Sequence, residues 1–390
     1  MEAGQTEGSV SAHLKDRVYL VLRTLIRSSY FGEQLPPLAK LVQMTRIPKS
    51  AVEEALLRLE NEDLLEKHGA SYKSIYIPEE TSLGRVAFLL NTNLFASWYG
   101  IFQDYLIGAE ESMRAAGYDF MFRGDFSSYE DKLELIREFH ETGIRGIIFA
   151  SFAEPSLRQY VLDKHIPAVI LGNATIHQEE LACVSSDNVG GIKKAVKLLI
   201  ENGHRNIAYY TASANAHDGF EERLVGYELA MRAAHLTIRY EMVLQERHTA
   251  GLARKASVAF LAMDPRPTAI VCSCDREAFE LISELRQSGI SVPEDVSVVG
   301  YGNSIFGTMS EPPLTTVEIF ARDLGRIGSN FLINEIVSPQ VPIRMTLPTE
   351  LVVRQSVLGL EAGGGASDGD APSPHTTRID LPDGEEVVGP

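Results

Sequence analysis

From residue 85 onward, short apolar runs alternate with longer amphipathic stretches, and this alternation limits the fold more than any other feature of the chain. The run at 86–90 precedes a helical pattern over 100–116. The runs at 118–122 and 146–149 precede helical patterns over 129–140 and 155–164, and the run 168–171 follows. A second series begins at 181–185, which leads into a helix over 189–202. It continues with the pairs 207–210 and 221–234, 241–244 and 252–263, and 269–272 and 277–287, and closes on 296–299. Strands alternating with helices imply parallel sheets covered on both faces. The units are too many for one comfortable sheet. Two α/β lobes are the economical solution, and the cleft between them is the expected ligand site.

The first eighty residues follow a different pattern. A helix over 10–29 carries the stripe Leu14, Val18, Val21, Leu22, Leu25 and Ile26. A short helix over 37–44 and a turn at 45–48 lead into a third helix over 49–60. Ala51, Val52, Ala55, Leu56 and Leu59 form the apolar face of that third helix. Strands at 64–67 and 72–77 pair around a tip at 68–71. Three helices followed by a hairpin make a winged helix-turn-helix, with the third helix in a DNA groove and the hairpin beside it.

Length and composition agree with this division. A chain of 390 residues accommodates two or three domains, and 44% hydrophobic content provides for real cores. The boundaries fall at 1–80, 81–357 and 358–390. The formal charge of −17 excludes a general coat of positive charge, although 14–77 is mildly positive at +2. DNA binding then depends on the placement of a few charges and on pairing two copies of the module. The acidic final segment, with its GGG, Asp and Pro residues, is expected to be disordered. Three cysteines do not build a disulfide framework, and Cys272 and Cys274 lack the second pair that a metal site needs. Neither a metal nor any other cofactor is expected. The polar N-terminus has no signal-peptide core and no stretch is long enough to span a bilayer, so the cytoplasm is the expected location, without membrane contact.

Two resemblances carry the reading further. Residues 11–78 resemble the winged-helix domain of GntR-type bacterial regulators. Gly32, Leu35 and Pro36 stand before the second helix, and the stretch from Pro48 to Leu59 keeps that family's apolar frame. Lys49 stands for the usual Arg, Ala51 for a hydroxyl residue, and Glu54 where a basic residue is common. The resemblance implies double-stranded operator DNA as a partner. Arg46 in the turn, Lys49 and Ser50 at the helix start, and Lys67 and Lys73 beside the hairpin tip are the candidate contacts.

Residues 83–356 resemble the effector domain of LacI-type regulators, a relative of periplasmic sugar-binding proteins (type I). Asp187, Asn188 and Gly191 open a helix in that family's pattern, and Gly203, His204, Arg205 and Ile207 precede a strand. Arg223, Gly226 and Tyr227 follow, then Pro293, Glu294, Asp295, Val296 and Ser297, then Pro313, Leu314 and Thr315. The order and spacing are the family's. The resemblance implies that Arg223 reaches a sugar or sugar derivative, with Asp275 and Asn303 beside it. Asn93, Trp98, Asp125, Ser151 and Asn173 follow first-lobe strands and are candidate contacts from the other side. Cys274 and Gly302 replace an Asn and an Asp that the family carries, so an ordinary monosaccharide fits less well.

The combination implies an effector-responsive DNA-binding repressor of sugar uptake or catabolism genes, acting as a homodimer. The sequence contains no G-x-S-x-G, P-loop or H-E-x-x-H motif, so no catalysis is expected. Two alternatives stay open. The lobes alone permit a solute receptor of a transport system, against which the extra N-terminal residues speak. Glu54 and the weak positive charge permit an interaction protein that has lost DNA binding.

Overall fold

The computed structural model describes residues 3–360 except 29, 46, 70, 78–81, 91–99, 125–128, 151–154, 173–179, 212–217, 246–250 and 339–340. The chain opens with helices α1 (Ala3–Arg27), α2 (Leu38–Thr45) and α3 (Lys49–Asn61), followed by strands β1 (Leu65–His68) and β2 (Ser71–Ser74). Val18, Val21, Leu22, Leu25 and Ile26 of α1 are buried with Ala51, Val52, Ala55, Leu56 and Leu59 of α3. The two stripes recur at helical spacing, so one face of each helix meets the other. β1 and β2 pair antiparallel, with Lys67 opposite Tyr72 and Glu66 opposite Lys73. The chain before α2 joins them through Leu35 N–H, which donates to Tyr72 O at 3.0 Å.

The first lobe is built on β3 (Arg85–Leu90), α4 (Phe102–Ala115), β4 (Asp119–Gly124), α5 (Tyr129–Thr142), β5 (Ile144–Ala150), α6 (Pro155–Asp163), β6 (Ala168–Leu171) and β7 (Ala182–Ser186). The second is built on α7 (Asn188–Glu201), β8 (Ile207–Thr211), α8 (Asp218–Ala233), β9 (Val243–Gln245), α9 (Leu252–Ala262), β10 (Ala269–Cys272), α10 (Asp275–Gln287), β11 (Ser297–Val299) and α11 (Ile305–Met309). The end of the chain returns through β12 (Thr316–Glu318), α12 (Ala321–Val337), β13 (Arg344–Leu347) and β14 (Glu350–Val352). The first sheet has the order β13-β7-β6-β5-β3-β4 and the second β11-β10-β8-β9, and all their pairings are parallel. The central strands of both sheets are buried along their length. They therefore read as apolar runs and not as alternation.

The chain crosses between the sheets after β7, after β12 and after β13. β12 and β14 pair antiparallel to form a separate two-stranded ribbon. α12 packs on α4, where the backbones come close. A Cβ on Gly108 would lie 2.0 Å from Arg322 O, and one on Gly325 would lie 2.2 Å from Tyr105 O. The described chain continues to Leu360, whose N–H donates to Asn202 O at 2.8 Å, three residues past the expected boundary. Among the described residues no helix is long and apolar enough to cross a membrane.

Candidate functional site

The two lobes approach one another around Arg223. Asp187 caps α7 by accepting from Gly190 N–H at 2.7 Å, which fixes Asn188 at the helix start. Asn188 Oδ1 then accepts from Arg223 Nε at 2.8 Å and from the Tyr301 hydroxyl at 2.9 Å. Arg223 also donates through Nη1 to Ser273 O at 2.9 Å. Its guanidinium carbon lies 4.2 Å from the Tyr301 ring centroid and 4.7 Å from that of Phe220, one helical turn earlier on α8. The cation is thus stacked between two aromatic faces and is 6% exposed. From the first lobe, α4 brings Tyr105 within electrostatic reach of Arg223 and Tyr301. Burial pushes the Tyr105 and Tyr301 phenols up, against the pull of Arg223, so both are neutral hydrogen-bonding groups at physiological pH. Ile101, before α4, lies 3.1 Å from where a Cβ on Gly302 would sit. The absence of a side chain at Gly302 therefore permits close approach of the lobes.

A second network lies in the turn after β11. Asp275 is buried, and its Oδ2 accepts from Ser304 N at 2.6 Å and Ser304 Oγ at 3.1 Å. The Thr316 hydroxyl donates to its Oδ1. Desolvation raises the carboxyl to about 6, partly offset by these hydrogen bonds. Asn303 donates to Glu318 Oε2 at 2.6 Å and accepts from Arg354 Nη2 at 2.6 Å. Both residues thus bind neighbouring chain segments, and Asp275 N–H, which donates to Tyr301 O at 3.0 Å, links this network to that of Arg223. A strand-end position identified them in the sequence, but partners more than ten residues away decide what they do.

The chain matches a family described as a periplasmic binding protein-like domain over residues 196–357. An HTH-type transcriptional repressor PurR of Vibrio vulnificus (strain CMCP6) is 29% identical over 330 residues, covering 84% of this chain and 96% of that protein. A PurR repressor of Vibrio cholerae serotype O1 (strain M66-2) is 31% identical over 275 residues, covering 69% of this chain and 79% of that protein. The chain belongs to the LacI family of transcriptional regulators. A solved structure described as a transcriptional regulator CelR-cellobiose complex shares the fold, with a TM-score of 0.65, 24% identity and coverage of 83% of this chain and all of that one. This LacI-family protein is an effector-responsive, DNA-binding regulator of transcription.

In this regulator the α3 start is open to solvent. Lys49 and Ser50 are exposed, and Lys49 Nζ lies 3.4 Å from Glu53, one turn on. Pro48 takes the cap position of α3, and no side chain caps the helix start. Glu54 turns toward α1 and pairs with Lys15 at 2.7 Å, which accounts for an acidic residue on this helix. Lys67 is exposed with its amine 5.9 Å from the Tyr72 ring, and Lys73 lies 3.5 Å from Glu33. Arg46, Asn93, Trp98, Asp125, Ser151 and Asn173 lie outside the described residues. Of the effector candidates, the structure therefore describes Arg223, Asp275 and Asn303; the last two meet through Thr316, and Arg223 is linked to them through Tyr301. Tyr105, Phe220 and Tyr301 were not singled out from the sequence. Phe220 had a signal, being an aromatic three residues before Arg223 on one helix. Tyr105 had none, since Arg223 and Tyr301, its neighbours in the site, are more than a hundred residues away.

Proposed function

We propose that this regulator is a homodimeric repressor of sugar uptake or catabolism genes, released from its operator by a sugar or sugar derivative bound between the lobes. The observation that carries this reading is the guanidinium of Arg223, held in place by Asn188 and Ser273 and flanked by two aromatic rings. A preorganised cation with planar donors suits hydroxyl or carboxylate oxygens, and aromatic faces suit the C–H faces of a sugar ring. Asn93, Trp98, Asp125, Ser151 and Asn173 complete the site from the first lobe. Asp275 and Asn303 serve it by holding the turn that carries Tyr301. The cellobiose named with the CelR structure belongs to that protein and supports the ligand class by fold analogy alone.

The N-terminal module is read as a GntR-type winged helix spanning 1–80, ahead of an effector domain at 81–357 and a tail at 358–390. The antiparallel pair after α3 and its link to Leu35 support that reading. Arg46 meets the operator from the turn, Lys49 and Ser50 from the helix start, and Lys67 and Lys73 from the hairpin. A thermal-shift screen of monosaccharides, disaccharides, sugar acids, sugar phosphates, purines and amino acids tests the effector class, because a ligand of the native state raises its melting temperature. A sugar-like compound should stabilise the protein, and Arg223→Ala should abolish the shift. A response only to purines or amino acids would refute the class, and a sugar shift that survives Arg223→Ala would refute the site.

A further inference from the structure

The first helix of the DNA-binding module has two buried faces. One is the apolar stripe that meets α3. The other lies along α4 of the first lobe, where the two helices run parallel and in step. Arg17 Nη2 donates to Asp104 Oδ2 at 2.9 Å and to Gly100 O at 3.2 Å. Arg23 lies 3.3 Å from Glu111, and Arg27 Nε lies 3.2 Å from Glu110. Thr24 and Ser28 on this face are fully buried. Beyond the helix, the Tyr30 ring sits 5.1 Å from that of Phe122 on β4. A module joined only by a tether would bury neither these hydroxyls nor these charges.

Arg114 closes the contact. It donates to Glu110, to the Arg27 carbonyl at the end of α1, and to the Tyr76 hydroxyl at 2.5 Å just after β2. One first-lobe side chain therefore holds both the exit of α1 and the exit of the hairpin. The Glu110 side chain is fully buried between Arg27 and Arg114. A buried carboxylate that loses one of its cations cannot be re-solvated while the surfaces stay together, so this contact opens as a unit. At its start, α4 follows Ile101, which lies beside Gly302, and carries Tyr105, within electrostatic reach of Arg223; α1 also touches α11 of the second lobe.

We propose that α1 and α4 form one rigid rod, so that the DNA-binding module moves as part of the first lobe and lobe motion reaches DNA through Arg27, Glu110 and Arg114. The docking stands on geometry alone, whereas its use in regulation rests on the proposed function. Hydrogen exchange read by mass spectrometry on the full chain tests both. In the wild-type protein, amides of 18–28 and 72–77 should exchange slowly. Arg114→Met should speed them at least tenfold while α7 and α10 keep their wild-type rates. Arg17→Asp and Asp104→Arg should each speed exchange across 17–28, and the double variant should restore it to within about threefold. Unchanged exchange in a folded Arg114→Met protein, or a charge swap that restores nothing, would overturn the docking. Adding a DNA fragment from the gene's own upstream region should slow exchange at 101–105 in the wild type but not in Arg114→Met, because coupling between two sites is reciprocal. Bound DNA without that change would overturn the transmission. A fragment that fails to bind at all would instead count against the proposed function and leave the docking result standing.

Discussion

Two buried titratable residues respond to pH in opposite directions. Asp275 holds its proton up to about pH 6 because burial disfavours the carboxylate. In the interval between its ordinary value and about 6 the native state binds more protons than the unfolded chain. Its contribution is therefore fully present below the ordinary carboxyl range and is lost as pH rises through about 6. Relative to Asp275→Asn, wild-type stability should fall by up to about 3 kcal/mol between pH 4 and 7, read from urea midpoints. A parallel pair of curves would show that the carboxyl is not shifted. His204 works the other way. Its Nε2 lies 3.0 Å from Leu358 O, which only accepts, so Nε2 carries the proton and Nδ1 accepts from the Thr268 hydroxyl. Burial lowers its pKa, so its contribution is present above the ordinary imidazole range and is lost as pH falls. His204→Gln should remove that acid-side loss. Residues such as Asp275 and Asn303 were legible in the sequence by position but not by role, because their partners come from distant loops.

At the scale of elements, the strands up to β11 were legible in the sequence, and β12, β13 and β14 were not. β6 and β10 stand out in the sequence as unbroken apolar runs. β13 does not, since none of its four residues is buried and it lies at the edge of its sheet. β12 and β14 are three residues each, too short for a period to show. α12 buries Gly325, Gly328 and Ser329 within its contact face, which weakens the apolar stripe that would announce it. The small residues have a reason, because the α4 and α12 backbones meet there. Gly108→Ala should cost about 3 kcal/mol or more, since the new methyl meets a carbonyl oxygen and not a yielding side chain. A change below about 1 kcal/mol in thermal or urea unfolding would show that the crossing relaxes. On α3, Lys49→Ala should weaken binding to an operator fragment by about 1–3 kcal/mol if the amine reads a base, and by less with an unaltered sequence preference if it meets only phosphate. Fluorescence anisotropy across a salt series separates these outcomes.

For the whole molecule, the expected assembly is a homodimer, since one small module neutralises few phosphates and two supply both affinity and operator symmetry. Val225 and Leu229, one turn apart on α8, are 46% and 45% exposed and offer an apolar strip that a second copy would cover. Light scattering should give twice the chain mass at micromolar concentration, and Val225→Glu with Leu229→Glu should return it to a monomer. A wild-type monomer with undiminished operator binding would remove the dimer from the proposal. The return of the chain from the second lobe to the first has one more consequence. The first sheet is completed by Arg344–Leu347, and the helix supporting the docking surface ends only at Val337. A ribosome that has released the module and all the early strands has still not supplied the parts that fix them in place. A chain that stops before Arg344 lacks the edge strand of the first sheet, and one that stops before Ala321 also lacks the helix that packs on α4.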